Sequence, residues 1–437
     1  MRGPDAADPE VVAAEPAPVD VVLIGAGLRG MISYGMNAAA AGIRFVGVVE
    51  RSPSRRSAFA EVHRIPASAR FASVDEWLAA PQVATAVLIA TPDDQHFGPA
   101  VAALRAGYDV VVEKPMAQSA QECRTMVEVA EDHGRALHVC HVLRYTPFFQ
   151  AVRHVVQSGR LGRIVTVEHR ENVESLHMAH SYVRGAYGRT DRANPMLLAK
   201  SCHDMDMLLW ILDEPVRSVS SFGSLTHFRR DAVGPEIPDR CSDGCPIQET
   251  CIYDAAVNYA PEVTEFRPGI RGLTQLFPLS DPMTLDRDER LAALRTSDFG
   301  RCVYRCDNDV VDHQVVAMEM RSGTTVAFTM HGHSHEEGRT MRYDGTRATL
   351  RATFTDEPEI TVIDHGSREV ERIDIGEFEL LGHGGGDVGL MRALAASLRG
   401  DDGALTSDAR SALRSHEVAW AAERSRLTRS VVEPAVS

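Results

Sequence analysis

The sequence predicts an α/β fold: a doubly wound parallel sheet at the N-terminus, followed by an α+β domain with a mainly antiparallel open sheet. Three observations carry that prediction. Between Val19 and about Gln150, short β-branched runs alternate strictly with helical patterns. The first run leads straight into a Gly-x-Gly-x-x-Gly turn. After about Gly162 the strand-like runs follow one another with short turns, as antiparallel neighbours do. A chain of 437 residues also exceeds what one core ordinarily supports, so two domains are expected.

The early strands are expected at Val19–Ile24, Phe45–Val49, Ala84–Ala90, Tyr108–Val112 and Ala136–Cys140. Each is a run of mostly apolar residues, the mark of a strand buried on both faces. Helices are expected between them at Met31–Ala41, Pro53–Val62, Val74–Ala80, Phe97–Ala106 and Ala120–His133, with Ser73 and Ser119 as N-terminal caps. Strand and helix in alternation imply right-handed crossovers. Later strands are expected at Ile164–His169, Val315–Met320, Thr324–Met330, Arg347–Phe354, Glu359–Ile363 and Arg368–Ile373, with Arg321-Ser322-Gly323 as a hairpin turn. Leu208–Leu212 and about the last 50 residues read as helical. The expected organisation is a disordered tail over 1–18, a nucleotide-binding domain over 19–150, and a substrate-binding and oligomerisation domain over 151–437. Within the last, an irregular insertion rich in Pro, Gly and Asp is expected at about 231–299.

Composition narrows the class. Hydrophobic residues make up 44% and charged residues 24% of the chain, as in globular proteins. The 46 Lys+Arg against 61 Asp+Glu leave a net charge of −15, which disfavours nucleic acid and anionic membranes as partners. No apolar run approaches the roughly 18 residues of a membrane helix, and Met1–Asp20 lacks the apolar stretch of a secretory signal. Eight cysteines without an export signal point to reduced thiols and a cytoplasmic location.

The strongest motif begins at Gly25. Val21-Val22-Leu23-Ile24 runs into Gly25-Ala26-Gly27-Leu28-Arg29-Gly30, and Glu50 closes the next strand 20 residues after Gly30. In a Rossmann site each of these has a task. Gly25 permits the tight turn, Gly27 lets the backbone approach a pyrophosphate, Gly30 lets the helix pack close to the strand, and the helix N-terminus faces the phosphates. Leu28 and Arg29 complete the loop. Glu50 accepts hydrogen bonds from ribose hydroxyls and repels a 2′-phosphate, which favours NAD over NADP; Arg51 beside it pulls the other way.

Three further groups follow in order: Thr91-Pro92-Asp93-Asp94-Gln95-His96 after the strand expected at Ala84–Ala90, Glu113-Lys114-Pro115 after the next, and Arg144-Tyr145 at the exit of the first domain. With the glycine loop, they resemble the glucose–fructose oxidoreductase/inositol dehydrogenase (Gfo/Idh/MocA) family. The match is closest over about Val19–Arg170 and looser beyond, where it rests on His203-Asp204-Met205-Asp206. The resemblance implies an NAD-dependent oxidoreductase acting on CH–OH groups, with Thr91, Pro92, His96 and Glu113 near the nicotinamide and a cis Lys114–Pro115 bond. It also implies that Lys114 and His203 flank the substrate carbon. The chemistry favours the same residue types: an imidazole takes the hydroxyl proton, and a lysine ammonium stabilises the developing alkoxide. A histidine opening a helix can equally cap or pack. One departure stands out. The family commonly carries an aspartate four residues before this histidine; here that residue is Ala199, followed by Lys200.

His177, His180, Tyr182, Arg184 and Tyr187 gather donors and aromatic faces suited to a sugar. The expected substrate contacts are Arg144, Tyr145, His180, Tyr182, Arg184, Lys200 and His203, around a small carbohydrate or polyol. A homo-oligomer, dimer or tetramer, is expected. Cys241, Cys245 and Cys251 lie within eleven residues of the insertion, which suggests either a structural zinc or iron–sulfur site or reduced, redox-labile thiols. Three functions compete. The first is reversible oxidation of a secondary alcohol on a sugar, glycoside or cyclic polyol. The second, known in the family, is NAD-dependent glycoside cleavage through transient C3 oxidation, elimination and hydration. The third is a non-catalytic NAD-binding sensor, which has no need of a Lys114–His203 pair.

Overall fold

Six parallel strands form the first sheet, in the order β3-β2-β1-β4-β5-β6. They are β1 (Val19–Ile24), β2 (Ile43–Val49), β3 (Arg70–Phe71), β4 (Ala86–Ile89), β5 (Asp109–Val112) and β6 (Leu137–Val139). The computed structural model describes residues 16–261, 285–376 and 383–435, with 272, 274, 275, 277 and 279. Most of the expected N-terminal tail and part of the insertion lie outside the described residues. The short strand β3 was not expected from the sequence; two residues are too few to produce a periodic signal.

Local chemistry fixes the helices. The Ser52, Ser73 and Ser119 side chains each accept a backbone N–H at the start of Pro53–Val62, Val74–Leu78 and Ala120–Asp132, and Ser119 forms a full capping box with Glu122. The helix expected over Met31–Ala41 differs: the chain makes a π-helical turn over Arg29–Gly35 and a 3₁₀ turn over Ala39–Ala41. Wide π turns are rare and often sit at functional sites.

The second sheet has eight strands in the order β14-β13-β12-β11-β7-β10-β9-β8. They are β7 (Ile164–Glu174), β8 (Val216–Ser224), β9 (His313–Met320), β10 (Thr325–Ser334), β11 (Gly338–Gly345), β12 (Ala348–Phe354), β13 (Glu359–Asp364) and β14 (Val370–Arg372). All neighbours are antiparallel except β7 and β10. Sequence reading did not anticipate β8 and β11, because their polar residues break the apolar alternation. Helices Pro147–Gln157 and Cys202–Leu212 supply apolar residues to the core of this half.

The C-terminal segment does not stay with the second half. Leu390, Met391, Leu394, Leu405, Ala412 and Leu413 join the core of the first sheet, whereas Val418, Ala421 and Ala422, on the same final helix Ala409–Thr428, join the second core. Trp420 packs against both. Among the described residues no helix is long and apolar enough to cross a membrane.

Candidate active site

The glycine loop behaves as its sequence dictates. Gly25 has φ +92°, and a Cβ there would lie 2.8 Å from the Ala90 carbonyl oxygen. A Cβ on Gly30 would sit only 2.0 Å from the Gly25 oxygen, whereas one on Gly27 would meet no protein atom within 4 Å. Gly25 and Gly30 are therefore required by the fold, while nothing among the described residues requires Gly27. That pattern fits a loop against which a dinucleotide pyrophosphate lies. Glu50 is buried beside it and accepts from Ala26 N (2.9 Å), Ser52 N (2.8 Å) and Arg55 Nη2 (2.8 Å). A carboxylate has about four lone-pair sites, so one remains for a ribose hydroxyl. Arg51 is exposed.

Arg29 does not face outward from the loop. Its Nε donates to Glu113 at 2.5 Å, and its Nη atoms to Asp387 at 3.0 and 3.1 Å, to Tyr34 at 2.8 Å and to Ser33 at 2.8 Å. The Arg29 side chain thus forms an ion-pair hub joining the glycine loop, the end of β5 and the C-terminal segment. Glu113 also accepts from Tyr34 (2.5 Å) and from Lys114 N (2.9 Å). Burial raises its pKa, but Arg29 and Tyr34 overcome that and hold it below the ordinary carboxylate value. The Lys114–Pro115 bond is cis, as expected. His96 is fully buried, with Nδ1 2.8 Å from Pro115 O and Nε2 2.9 Å from Thr91 O. It clasps the Thr91-Pro92 loop to the cis-proline turn, which places its role in loop geometry. Thr91 Oγ1 closes the same loop on Gln95 O at 3.0 Å.

From this turn Lys114 reaches the second half, where its Nζ donates to Ala199 O at 3.0 Å. The residue that replaces the family's aspartate therefore receives Lys114 through its backbone. His203, one turn further on, is buried, and its Nδ1 has no hydrogen-bond partner among the described residues. Burial, then the charge of Lys114, with His141, His383 and Arg339, holds its pKa well below the ordinary histidine value. Helix Cys202–Leu212 is fixed by its own acids. Asp204 is bound by Arg339 (2.8 Å) and His169 (2.9 Å), and Asp206 by Arg144 (2.5 and 2.7 Å). Lys200 pairs with Glu337 (2.6 Å) and Glu171 (3.1 Å). Burial works against its charge, yet these two carboxylates hold its pKa above the ordinary lysine value. The rings of His177, Tyr182 and Tyr187 succeed one another at 5.8 Å centroid spacing.

Four of the expected substrate contacts are committed elsewhere. Arg144 is 4% exposed; it forks onto Asp206 and donates to Thr406 O. Tyr145 OH meets Ser407 Oγ and Thr406 N, both at 3.0 Å. His180 meets Tyr259 OH at 2.8 Å and stacks on Phe299, and burial, with His177 and Arg184, lowers its pKa to about 3. Arg184 donates to Arg301 O (2.7 Å), Tyr253 O (2.8 Å) and Cys241 Sγ (3.5 Å). His180 and Arg184 therefore anchor the insertion, and Arg144 and Tyr145 tie down the segment before the last helix.

Cys241, Cys245 and Cys251 share the lining of one small cavity with Cys302, and all are free thiols. Among the described residues, however, no three His, Cys, Asp or Glu side chains are placed to hold a metal, so the expected zinc or iron–sulfur site is not supported. Arginines donating to carbonyl oxygens tie the insertion together instead: Arg184, Arg240 to Leu294 O (2.7 Å) and Arg290 to Tyr259 O (2.6 Å).

Sequence reading missed three neighbours of the site. His141 is fully buried; among the described residues neither ring nitrogen has a hydrogen-bond partner, its Nε2 lies 3.8 Å from Asp206 Oδ1, and its ring lies 5.6 Å from that of His203. His383 approaches His203 from the C-terminal segment at 6.2 Å. Glu337 binds both Lys200 and His177. The only sequence signal for any of them was the glycine run around His383.

Comparison with known proteins fits this geometry. Residues 19–141 match the family model of the oxidoreductase family with NAD-binding Rossmann fold (Gfo/Idh/MocA), and residues 149–243 match a C-terminal domain model of the same family. The Bacillus subtilis protein named as oxidoreductase YteT is 22% identical over 70% of this chain and 71% of its own length. The 1,5-anhydro-D-fructose reductase of Ensifer adhaerens is 29% identical over 41% of this chain and 53% of its own. Among solved structures, an oxidoreductase domain protein from Kribbella flavida superposes with a TM-score of 0.70 at 16% identity, covering 96% of this chain and 100% of that one. The WlbA dehydrogenase from Bordetella pertussis, solved with NADH and UDP-GlcNAcA, gives 0.63 at 18% identity, covering 96% and 100%.

Proposed function

The chain belongs to the Gfo/Idh/MocA family of NAD-binding oxidoreductases, and from that premise we propose that it interconverts a secondary alcohol and a ketone on a sugar, glycoside or cyclic polyol. The observation that carries this reading is the meeting of the two halves at Lys114. Its amine lies on the Ala199 carbonyl, and its charge is felt at His203.

Gly25, Gly27, Gly30 and Glu50 would hold NAD, with the Thr91-Pro92 loop and Glu113-Lys114-Pro115 on the nicotinamide side. Bound NAD supplies the hydride acceptor. The chain supplies the rest. His203, kept neutral by burial and by Lys114, is ready to take the hydroxyl proton, and the Lys114 ammonium stabilises the alkoxide forming on the same oxygen. His177, Tyr182 and Tyr187 form a row of rings, of which the half-buried His177 and Tyr187 would pack against the C–H side of a carbohydrate. Lys200 is already paired with Glu337, and with a Glu171 that it shares with Arg339, which favours a neutral polyhydroxy substrate over a carboxylate at that point. The names of the relatives point the same way: they include a 1,5-anhydro-D-fructose reductase and inositol 2-dehydrogenases.

A panel of sugars, glycosides and cyclic polyols, scored for both NADH and released aglycone, tests the reading. Net NADH formation is expected. Aglycone release without net NADH would replace it with redox-assisted glycoside cleavage. Lys114→Ala and His203→Ala should each slow the chemical step by roughly 10²–10⁴-fold, with little change in NAD affinity. Near-normal turnover of His203→Ala would refute the assignment of the base.

A further inference from the structure

His203 stands without the carboxylate that the resemblance led us to expect beside it. Ala199 offers only a carbonyl, already taken by Lys114, and His203 Nδ1 is buried with no hydrogen-bond partner among the described residues. A base that takes a proton on every turnover must also lose it. Of the groups whose charge bears on His203, Lys114 and Arg339 cannot accept one, and His141, 5.6 Å away ring to ring, is fully buried and has no face from which to release it to solvent.

The C-terminal segment brings a second imidazole to the same place. The His383 ring lies 6.2 Å from that of His203, centroid to centroid, inclined at 51°. The His383 side chain is 42% exposed, whereas its partner Asp387 is 1% exposed. Asp387 Oδ2 lies 3.2 Å from His383 Nδ1. The same carboxylate carries the fork of Arg29, which keeps it ionised, and Arg29 Nη1 is 3.5 Å from the His383 ring. Beyond Arg29 lie Glu113 and Tyr34. The backbone adds an independent sign. His383 holds φ +55°, followed by Gly384 at +64° and Gly385 at +83°. A side chain kept in left-handed backbone next to two glycines is costly, and such costs cluster at functional sites.

We propose that His383, oriented by Asp387, receives the proton from His203 and passes it to solvent, so that a His–Asp pair from the C-terminal segment does the work of the missing aspartate. The inference rests on the oxidoreductase reading above. The steps balance. The substrate hydroxyl proton goes to His203, then to His383, then to water, while the carbinol hydrogen leaves with its electron pair to the oxidised nicotinamide. One alcohol gives one ketone, one reduced nicotinamide and one released proton. His383 acts through His203 and is a positioning and proton-accepting residue.

His383→Ala is the test, with NAD-dependent alcohol oxidation measured from pH 6 to 9 beside wild type and His203→Ala. The expected result is a loss of about 10²-fold that added imidazole partly restores, with NAD affinity unchanged. His383→Ala at wild-type rate, or slowed without imidazole rescue at any pH, would overturn the inference. So would a slow variant with weakened NAD binding, since that would make His383 a support for the Arg29 cluster. Active wild type with inactive His203→Ala keeps the oxidoreductase reading standing in each of these cases. A wild type that reduces NAD with no CH–OH substrate would overturn that reading and this inference together.

Discussion

Gly27 and Gly30 sit three residues apart in one loop, and the structure separates their roles by what an added methyl would touch. At Gly30 the new Cβ would lie 2.0 Å from Gly25 O and 3.2 Å from Leu23 Cδ2, against about 3.5 Å for ordinary contact. The π turn that begins at Arg29 would have to move off β1. Overpacking of this kind costs about 1–3 kcal/mol, so Gly30→Ala should lower Tm by a few degrees. At Gly27 nothing lies within 4 Å of the new Cβ, and Tm without cofactor should stay at the wild-type value. The same methyl would stand where a pyrophosphate approaches. An intrusion worth about 1–3 kcal/mol weakens NAD by about 5- to 150-fold. Calorimetric titration gives the Kd, and thermal melts in the absence of NAD keep ligand stabilisation out of the comparison. Gly27→Ala binding NAD as wild type does, or melting as low as Gly30→Ala, would refute the reasoning.

Glu50→Ala should weaken NAD and narrow its advantage over NADP, because the hydrogen-bond acceptor for the ribose and the repulsion of a 2′-phosphate are both gone; equal affinities in wild type, unchanged by the substitution, would assign the choice to Arg51. Stability should fall with acidity between about pH 6.5 and 5. His180 and His416 are pushed down to about 3, chiefly by burial, so in that window the unfolded chain binds protons that the folded chain refuses. Each group contributes a slope of up to about 1.4 kcal/mol per pH unit, and urea melts across the window would show a flat profile if the reasoning is wrong. Arg184→Ala removes the guanidinium that spans Arg301, Tyr253 and Cys241. It should expose the insertion to limited proteolysis at a rate several times that of wild type, and unchanged cleavage would show that other contacts hold it.

The sequence was most informative where a residue's task is local. The strand-to-glycine-loop junction, the serine caps and the cis Lys114–Pro115 turn depend on neighbours a few residues away, and they were read correctly. It was least informative about where long polar side chains point. Arg29, Arg144 and Tyr145 sit beside ligand motifs, yet their partners Asp387, Asp206 and Ser407 are 358, 62 and 262 residues distant. No spacing rule links such pairs. His141 and His383 were overlooked for the same reason: what matters about them is proximity to His203, which only the tertiary fold creates. The cysteine spacing left a metal site and reduced thiols both open. The thiols are free, and the insertion, poor in apolar residues, is held by arginine-to-carbonyl bonds whose partners lie too far along the chain for any spacing to signal.

The core of the first sheet includes Leu390, Met391, Leu394, Leu405, Ala412 and Leu413, and His416 accepts the Met116 backbone N–H beside the cis-proline turn at 2.9 Å. On a ribosome, the nucleotide-binding half would therefore emerge first and wait for almost the whole chain before its apolar face could close. A fragment cut near residue 150 would leave that face open to water, and a separately expressed N-terminal half would aggregate or bind NAD poorly. The half made first is the half finished last.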